Sequence, residues 1–133
     1  MEQRIKKLEQ ILKNDRFASH NDIRLVSIGK GEATAEMTIS EKHLNGVNII
    51  QGGALFTLAD FAFAAASNSH GRIAVASNAS ITFYKGVSSG ILTAFAKEMN
   101  RGKTLSHYSV DILVESVTKI AYFTGTAFLK GDY

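Results

Sequence analysis

The sequence contains no cysteine, no proline and no tryptophan. Without cysteine there is neither a disulfide framework nor a thiolate metal site, and the redox compartment is left open. Proline is absent, and there is no repeat, linker or low-complexity tract. No second domain is therefore indicated, and residues 1–133 are expected to form one domain with a core of ordinary size. The four histidines (His20, His43, His70, His107) show no metal-ligand spacing such as His-x3-His, so no metal is expected. A Gly-x-Ser-x-Gly elbow and a phosphate-binding P-loop are both missing. Charge is scarce in one place above all. Between Lys42 and Arg72 the only Asp, Glu, Lys or Arg side chain is Asp60.

What is present is the composition of a soluble globular protein, 45% hydrophobic and 20% charged. The net charge is +3 and the pI near 9.2, compatible with anionic ligands. Basic residues are scattered through the N-terminus, with Arg101 and Lys103 near a turn. Nucleic-acid binding calls for a denser basic stripe interleaved with aromatics, so no nucleic-acid partner is expected. The start, Met1-Glu-Gln-Arg-Ile-Lys-Lys, is charged and no apolar signal region follows, which predicts a cytoplasmic location. Residues 49–66 are apolar enough to suggest a membrane span. However, Gln51, Thr57 and Asp60 interrupt them, and a buried helix opening at Gly52-Gly53 is expected instead.

Periodicity supplies the element order. Ile5, Leu8, Ile11 and Leu12 at helical spacing predict an amphipathic helix over residues 2–13, packed as an N-terminal appendage (1–16) on the body. Residues 14–16 end it, and 19–22 read as a loop. Strands are predicted over 23–28 and 32–39, then the apolar helix, with Gly71 in a left-handed cap after it. Four longer strands follow. In the first, Ile73, Val75, Ala79, Ile81 and Phe83 share one face, against Asn78, Ser80, Thr82 and Tyr84. The second covers 91–99. Tyr108, Val110, Ile112 and Val114 form the apolar face of the third, and the last covers 121–129. The pattern α-β-β-α-β-β-β-β, with one helix apolar nearly all round, predicts an α+β fold in which a long antiparallel sheet wraps a central helix.

A carboxylate inside such a helix loses hydration and needs partners, or its proton affinity rises. Asp60 is therefore a candidate general base or nucleophile, the alternative being a buried Asp that bridges structural elements. Gly52 and Gly53 open the helix, so first-turn N–H groups lack intrahelical acceptors, and glycine lets a substrate carbonyl come close.

The segment His43-Leu-Asn45-Gly-Val-Asn48-Ile-Ile-Gln51-Gly52-Gly53, with Asp60 seven residues after the last glycine, resembles the signature of hotdog-fold acyl-CoA thioesterases. The resemblance is strongest to the phenylacetate-degradation branch and extends from about Ile23 to the C-terminus. It implies the hotdog fold and hydrolysis of an acyl- or aryl-acyl-CoA. The Gly52 N–H would be the main donor to the thioester oxygen, and Asp60 the base or nucleophile. Asn45 would orient water or the thioester, with Gln51 assisting and Gly53 lining the substrate. The family places a secondary hydroxyl on the strand after the helix; Ala76 aligns with it, and Asn78 in the polar row beside it is a candidate substrate contact, as Arg101 and Lys103 are for CoA phosphates. CoA is part of the substrate, and no separate cofactor is implied. Eight residues of helix separate Gly52 from Asp60, about 12 Å, too far to act on one carbonyl. The resemblance resolves this with a homodimer as the minimal unit and a homotetramer beyond it, without a membrane partner. Three positions depart from the pattern: Gln51 stands where the family has His, Asn48 where it has Gly, and Lys85-Gly86 replaces a proline. The competing readings are a hotdog hydratase, which would need a His near the helix acid, and a non-catalytic acyl-CoA-binding or regulatory module.

Overall fold

A computed structural model of the chain describes residues 2–133; Met1, from which the charged N-terminal stretch starts, lies outside the described residues. Helix α1 (Glu2–Lys13) turns Leu8 and Leu12 into the core. Ile11, expected on the same face, is exposed, because α1 lies on the surface of the body and buries only a narrow stripe. The expected loop after it is partly a short helix, α2 (Arg16–His20), whose N-cap Asp15 accepts from the Ala18 N–H at 3.0 Å.

Six antiparallel strands follow: β1 (Arg24–Gly29), β2 (Glu32–Thr38), β3 (Arg72–Phe83), β4 (Ile91–Arg101), β5 (Leu105–Val114) and β6 (Thr118–Asp132). Helix α3 (Gly52–Ser67) intervenes between β2 and β3. The spatial order is β1-β2-β4-β5-β6-β3, so the chain leaves β2, runs through α3 and re-enters at the opposite edge as β3. The sheet thereby closes round α3, the expected hotdog arrangement. Small side chains on the helix, among them Ala54, Ala59, Ala62, Ala65 and Ala66, are buried and let the strands approach. The core comprises these together with Leu55, Leu58, Phe61 and Phe63, and with Met37, Leu92, Tyr108, Val110, Ile112 and Phe123 from the sheet.

The alternation expected in β3 holds only for its second half. Ala79 and Ile81 pack on the core, but Ile73 and Val75 are 41% and 42% exposed while Ala74 is buried. The pairing with β6 skips one residue between Ala76 and Asn78, and this bulge reverses which face each later side chain takes. At the C-terminal end of α3, Asn68 donates from Nδ2 to the Ala64 carbonyl at 2.8 Å. Its Oδ1 accepts from the Ala74 N–H, also at 2.8 Å, and Gly71 has the left-handed φ of 86° expected of it. Beside that end, Glu98 points inward from β4 and accepts from Tyr108 Oη at 2.8 Å and from His70 Nε2 at 2.7 Å. Burial pushes the Glu98 carboxyl up, but these hydrogen bonds outweigh it and hold it below the usual carboxylate range.

Candidate active site

Hydrogen bonds of the preceding loop set the start of α3. The ring of His43 is buried; its Nδ1 accepts from the Ser40 N–H at 3.0 Å, which leaves the proton on Nε2 to reach the Asn21 carbonyl at 3.0 Å. The His43 carbonyl accepts from the Gln51 N–H at 2.8 Å. The loop between them is folded by Asn45, whose Oδ1 accepts from the N–H groups of Val47 (3.0 Å) and Ile49 (3.1 Å). Asn48 in this loop has φ of 60°, the left-handed region that asparagine tolerates better than most residues. The Ile50 N–H to Val87 carbonyl bond (2.8 Å) and Ser88 Oγ to Asn48 carbonyl bond (2.7 Å) tie the loop to the segment after β3.

Gln51 is the N-cap of α3, and its Oε1 accepts from the Gly53 N–H. Gln51 thus holds the helix start, and it occupies one of the two first-turn donors that glycine leaves accessible. Among the described residues the Gly52 N–H finds no acceptor. It lies at the positive end of a sixteen-residue helix, where negative charge is favoured.

Asp60 lies further along α3. Gly53, Phe56, Thr57, Asp60 and Ala64 form a stripe of this helix that is not buried, and Gly52 is partly open beside its start. Asp60 is half-buried in it and makes no hydrogen bond among the described residues. Burial pushes its carboxyl up, and the negative charge of Asp15 adds to the effect. An unpartnered carboxylate of raised proton affinity on an otherwise apolar helix is suited to take a proton from water.

The remaining candidates do not converge on this stripe within one chain. Asn78 pairs across the strands with Thr126, whose Oγ1 meets His107 Nδ1 at 3.1 Å. That row is on the sheet face away from α3, since the neighbouring Ala79 and Ile81 face the core. Arg101 and Lys103 flank the β4–β5 turn at the C-terminal end of α3, where the Lys103 carbonyl accepts from Arg72 Nη1 at 3.2 Å. Asn45 sits beside the helix start, but its carboxamide oxygen is committed to the loop and only the NH2 group remains for a ligand. Two residues near the site carry roles that periodicity did not reveal. His43 clamps the loop that leads into the helix. Phe83, expected in the buried face of β3, lies at the free sheet edge with its ring against Gly52. Among the described residues no group of three or more His, Asp or Glu side chains converges as a metal site would require, and no helix is long and apolar enough to cross a membrane.

Residues 47–121 match the model of the thioesterase superfamily. The chain is 39% identical over 119 residues to the acyl-coenzyme A thioesterase PaaI of Escherichia coli, covering 89% of this chain and 85% of that protein. The structure of the E. coli PaaI protein from the phenylacetic acid degradation operon superimposes with a TM-score of 0.92 at 33% identity, covering 98% of this chain and 96% of that one. The phenylacetic acid degradation protein PaaI of Thermus thermophilus, in a mutant form, gives 0.82 at 31% identity, over 86% and 98% of the two chains.

Proposed function

The chain belongs to the thioesterase superfamily, and from that membership we propose that it hydrolyses an acyl- or aryl-acyl-CoA thioester to the free acid and CoA. One observation carries the assignment of roles. A carboxylate without a hydrogen-bond partner and an N–H without an acceptor lie on one otherwise apolar helix, α3, in a chain 39% identical to an acyl-CoA thioesterase. In the reaction, the Gly52 N–H donates to the thioester oxygen. Asp60 takes a proton from water, whose oxygen bonds to the carbonyl carbon as the C=O electron pair moves onto oxygen. Collapse of that intermediate breaks the C–S bond, and the proton on Asp60 returns to the leaving thiolate. Direct attack by the Asp60 carboxylate, followed by hydrolysis of the anhydride, uses the same two groups.

Because about 12 Å of helix separates them, the donor and the carboxylate of one reaction come from different subunits. The edge strand β3 supports this reading. It is twelve residues long, pairs with β6 on one side only, and exposes Ile73 and Val75. A long free edge of that kind is a template for pairing with another strand. Two copies joined along β3 form the minimal unit, with a homotetramer as the further assembly.

A thiol-release assay over an acyl-CoA panel tests the function. The wild type should hydrolyse at least one acyl-CoA, and Asp60→Ala should lower kcat about 100-fold with the fold intact. A folded Asp60→Ala protein that keeps most of its activity would end the assignment of Asp60. A wild type that binds but never cleaves the panel would make this an acyl-CoA-binding module.

A further inference from the structure

We propose that Phe83 selects the acyl group: its ring is the wall beside the reacting carbonyl, and it determines that an apolar group is preferred there. This rests on the reading of the Gly52 N–H as the donor to the thioester oxygen. A Cβ placed on Gly52 would come within 2.9 Å of Phe83 Cζ and 3.3 Å of Cε2, so the tip of the ring is directed at the first residue of α3. A carbonyl oxygen bound at that N–H puts the first carbons of its acyl group within van der Waals reach of the ring.

The ring borders a groove of about 360 Å³ whose other apolar walls are Ile49, Ile50, Leu55 and Tyr84. Ile49, Phe83 and Tyr84 are 37%, 51% and 55% exposed. Three large apolar side chains left this open forgo burial that a ligand filling the groove would restore. Lys85 also borders the groove, so a cationic acyl tail would be desolvated beside a like charge. The backbone beneath the ring is fixed, since the Tyr84 and Lys85 N–H groups both reach the Ile120 carbonyl, at 2.8 and 3.3 Å. The ring itself stands at the sheet edge with room to adjust. A Cβ at Gly52 would meet the tip of that ring at 2.9 Å and would displace it.

The test uses binding of non-hydrolysable thioether analogues of acetyl-CoA and phenylacetyl-CoA, so it does not depend on turnover. Wild type should bind the phenylacetyl analogue more tightly. Phe83→Ala should weaken that analogue by about 10-fold or more while changing the acetyl analogue by less than about 3-fold, the contrast expected when a pocket wall is removed. Phe83→Leu should fall between them, and Gly52→Ala, which displaces the ring, should reduce the discrimination as well. Equal weakening of both analogues, or no change in either, would overturn the proposal. So would parallel loss accompanied by dissociation in sedimentation, which would make Phe83 a subunit contact. If the discrimination depends on Phe83 but no acyl-CoA is cleaved, the selecting role stands and the hydrolytic reading fails.

Discussion

Replacing Gln51 with Ala isolates the contribution of the N-cap to the start of α3. The substitution removes the acceptor that Gln51 Oε1 presents to the Gly53 N–H. Gly53 is exposed, so water takes the vacated position and no buried donor is orphaned. The loss is therefore that of a solvent-accessible N-cap, about 1 kcal/mol. For a chain of this length that lowers Tm by about 3–6 °C. The Gly52 N–H and the Asp60 carboxylate are untouched, and the released Gly53 N–H becomes a second donor beside the first. Hydrolysis of the best acyl-CoA should then stay within about 5-fold of wild type, less than one catalytic hydrogen bond to a charged group would contribute. Thermal melts followed by circular dichroism, together with thiol release on the same preparations, give both numbers. Gln51→His should keep activity, but an imidazole caps the N–H only when unprotonated. The fold favours its neutral form, so the stability it confers is present above the unfolded pKa of about 6.5 and fades as pH falls below it. If Gln51→Ala abolishes turnover as fully as Asp60→Ala while melting like wild type, Gln51 is a primary catalytic group and the roles argued here are wrong.

Asp60→Asn should lose activity yet gain stability at pH 7. The fold raises the carboxyl pKa, so ionisation costs stability as pH climbs through the unfolded value of about 3.9 to the folded one. The gain of the Asn variant should shrink as pH drops below 4, and a variant less stable than wild type at neutral pH would show that Asp60 has a structural partner. Mixing and refolding inactive Asp60→Ala with oxyanion-defective Gly52→Pro subunits should restore activity, since one site per mixed dimer joins an intact carboxylate to an intact donor; fully active monomers in sedimentation would contradict a shared site. Gly125→Ala should destabilise by about 1–3 kcal/mol in urea unfolding, through overpacking alone. Its Cβ would meet Phe63 at 2.8 to 3.0 Å, and that ring is held against Tyr108 and Phe123 with centroids 5.7 and 5.6 Å away.

Much of this was legible along the chain because the signals are local. The spacing of Leu8 and Leu12, the run of small residues after Gly52-Gly53, and the stop at Asn68 to Gly71 mark both long helices, since helical hydrogen bonds join residues four apart. Alternation in β5 puts Tyr108, Val110 and Ile112 inward, as observed. Asp60 stands out by its isolation from other charges. What the chain could not show was which surfaces meet. The bulge that turns Ile73 and Val75 outward arises from the register of β3 on β6, a strand some fifty residues later. Asn78, Arg101 and Lys103 lie away from the helix start because the strand order β1-β2-β4-β5-β6-β3 carries them there, and no local pattern encodes that order. Gln51 became a helix cap, and Phe83 the neighbour of Gly52, only when the loop after His43 and the end of β3 were brought together. Local propensity selects the elements, but register and neighbour identity depend on contacts between distant residues, and the chemistry of this site follows from the latter.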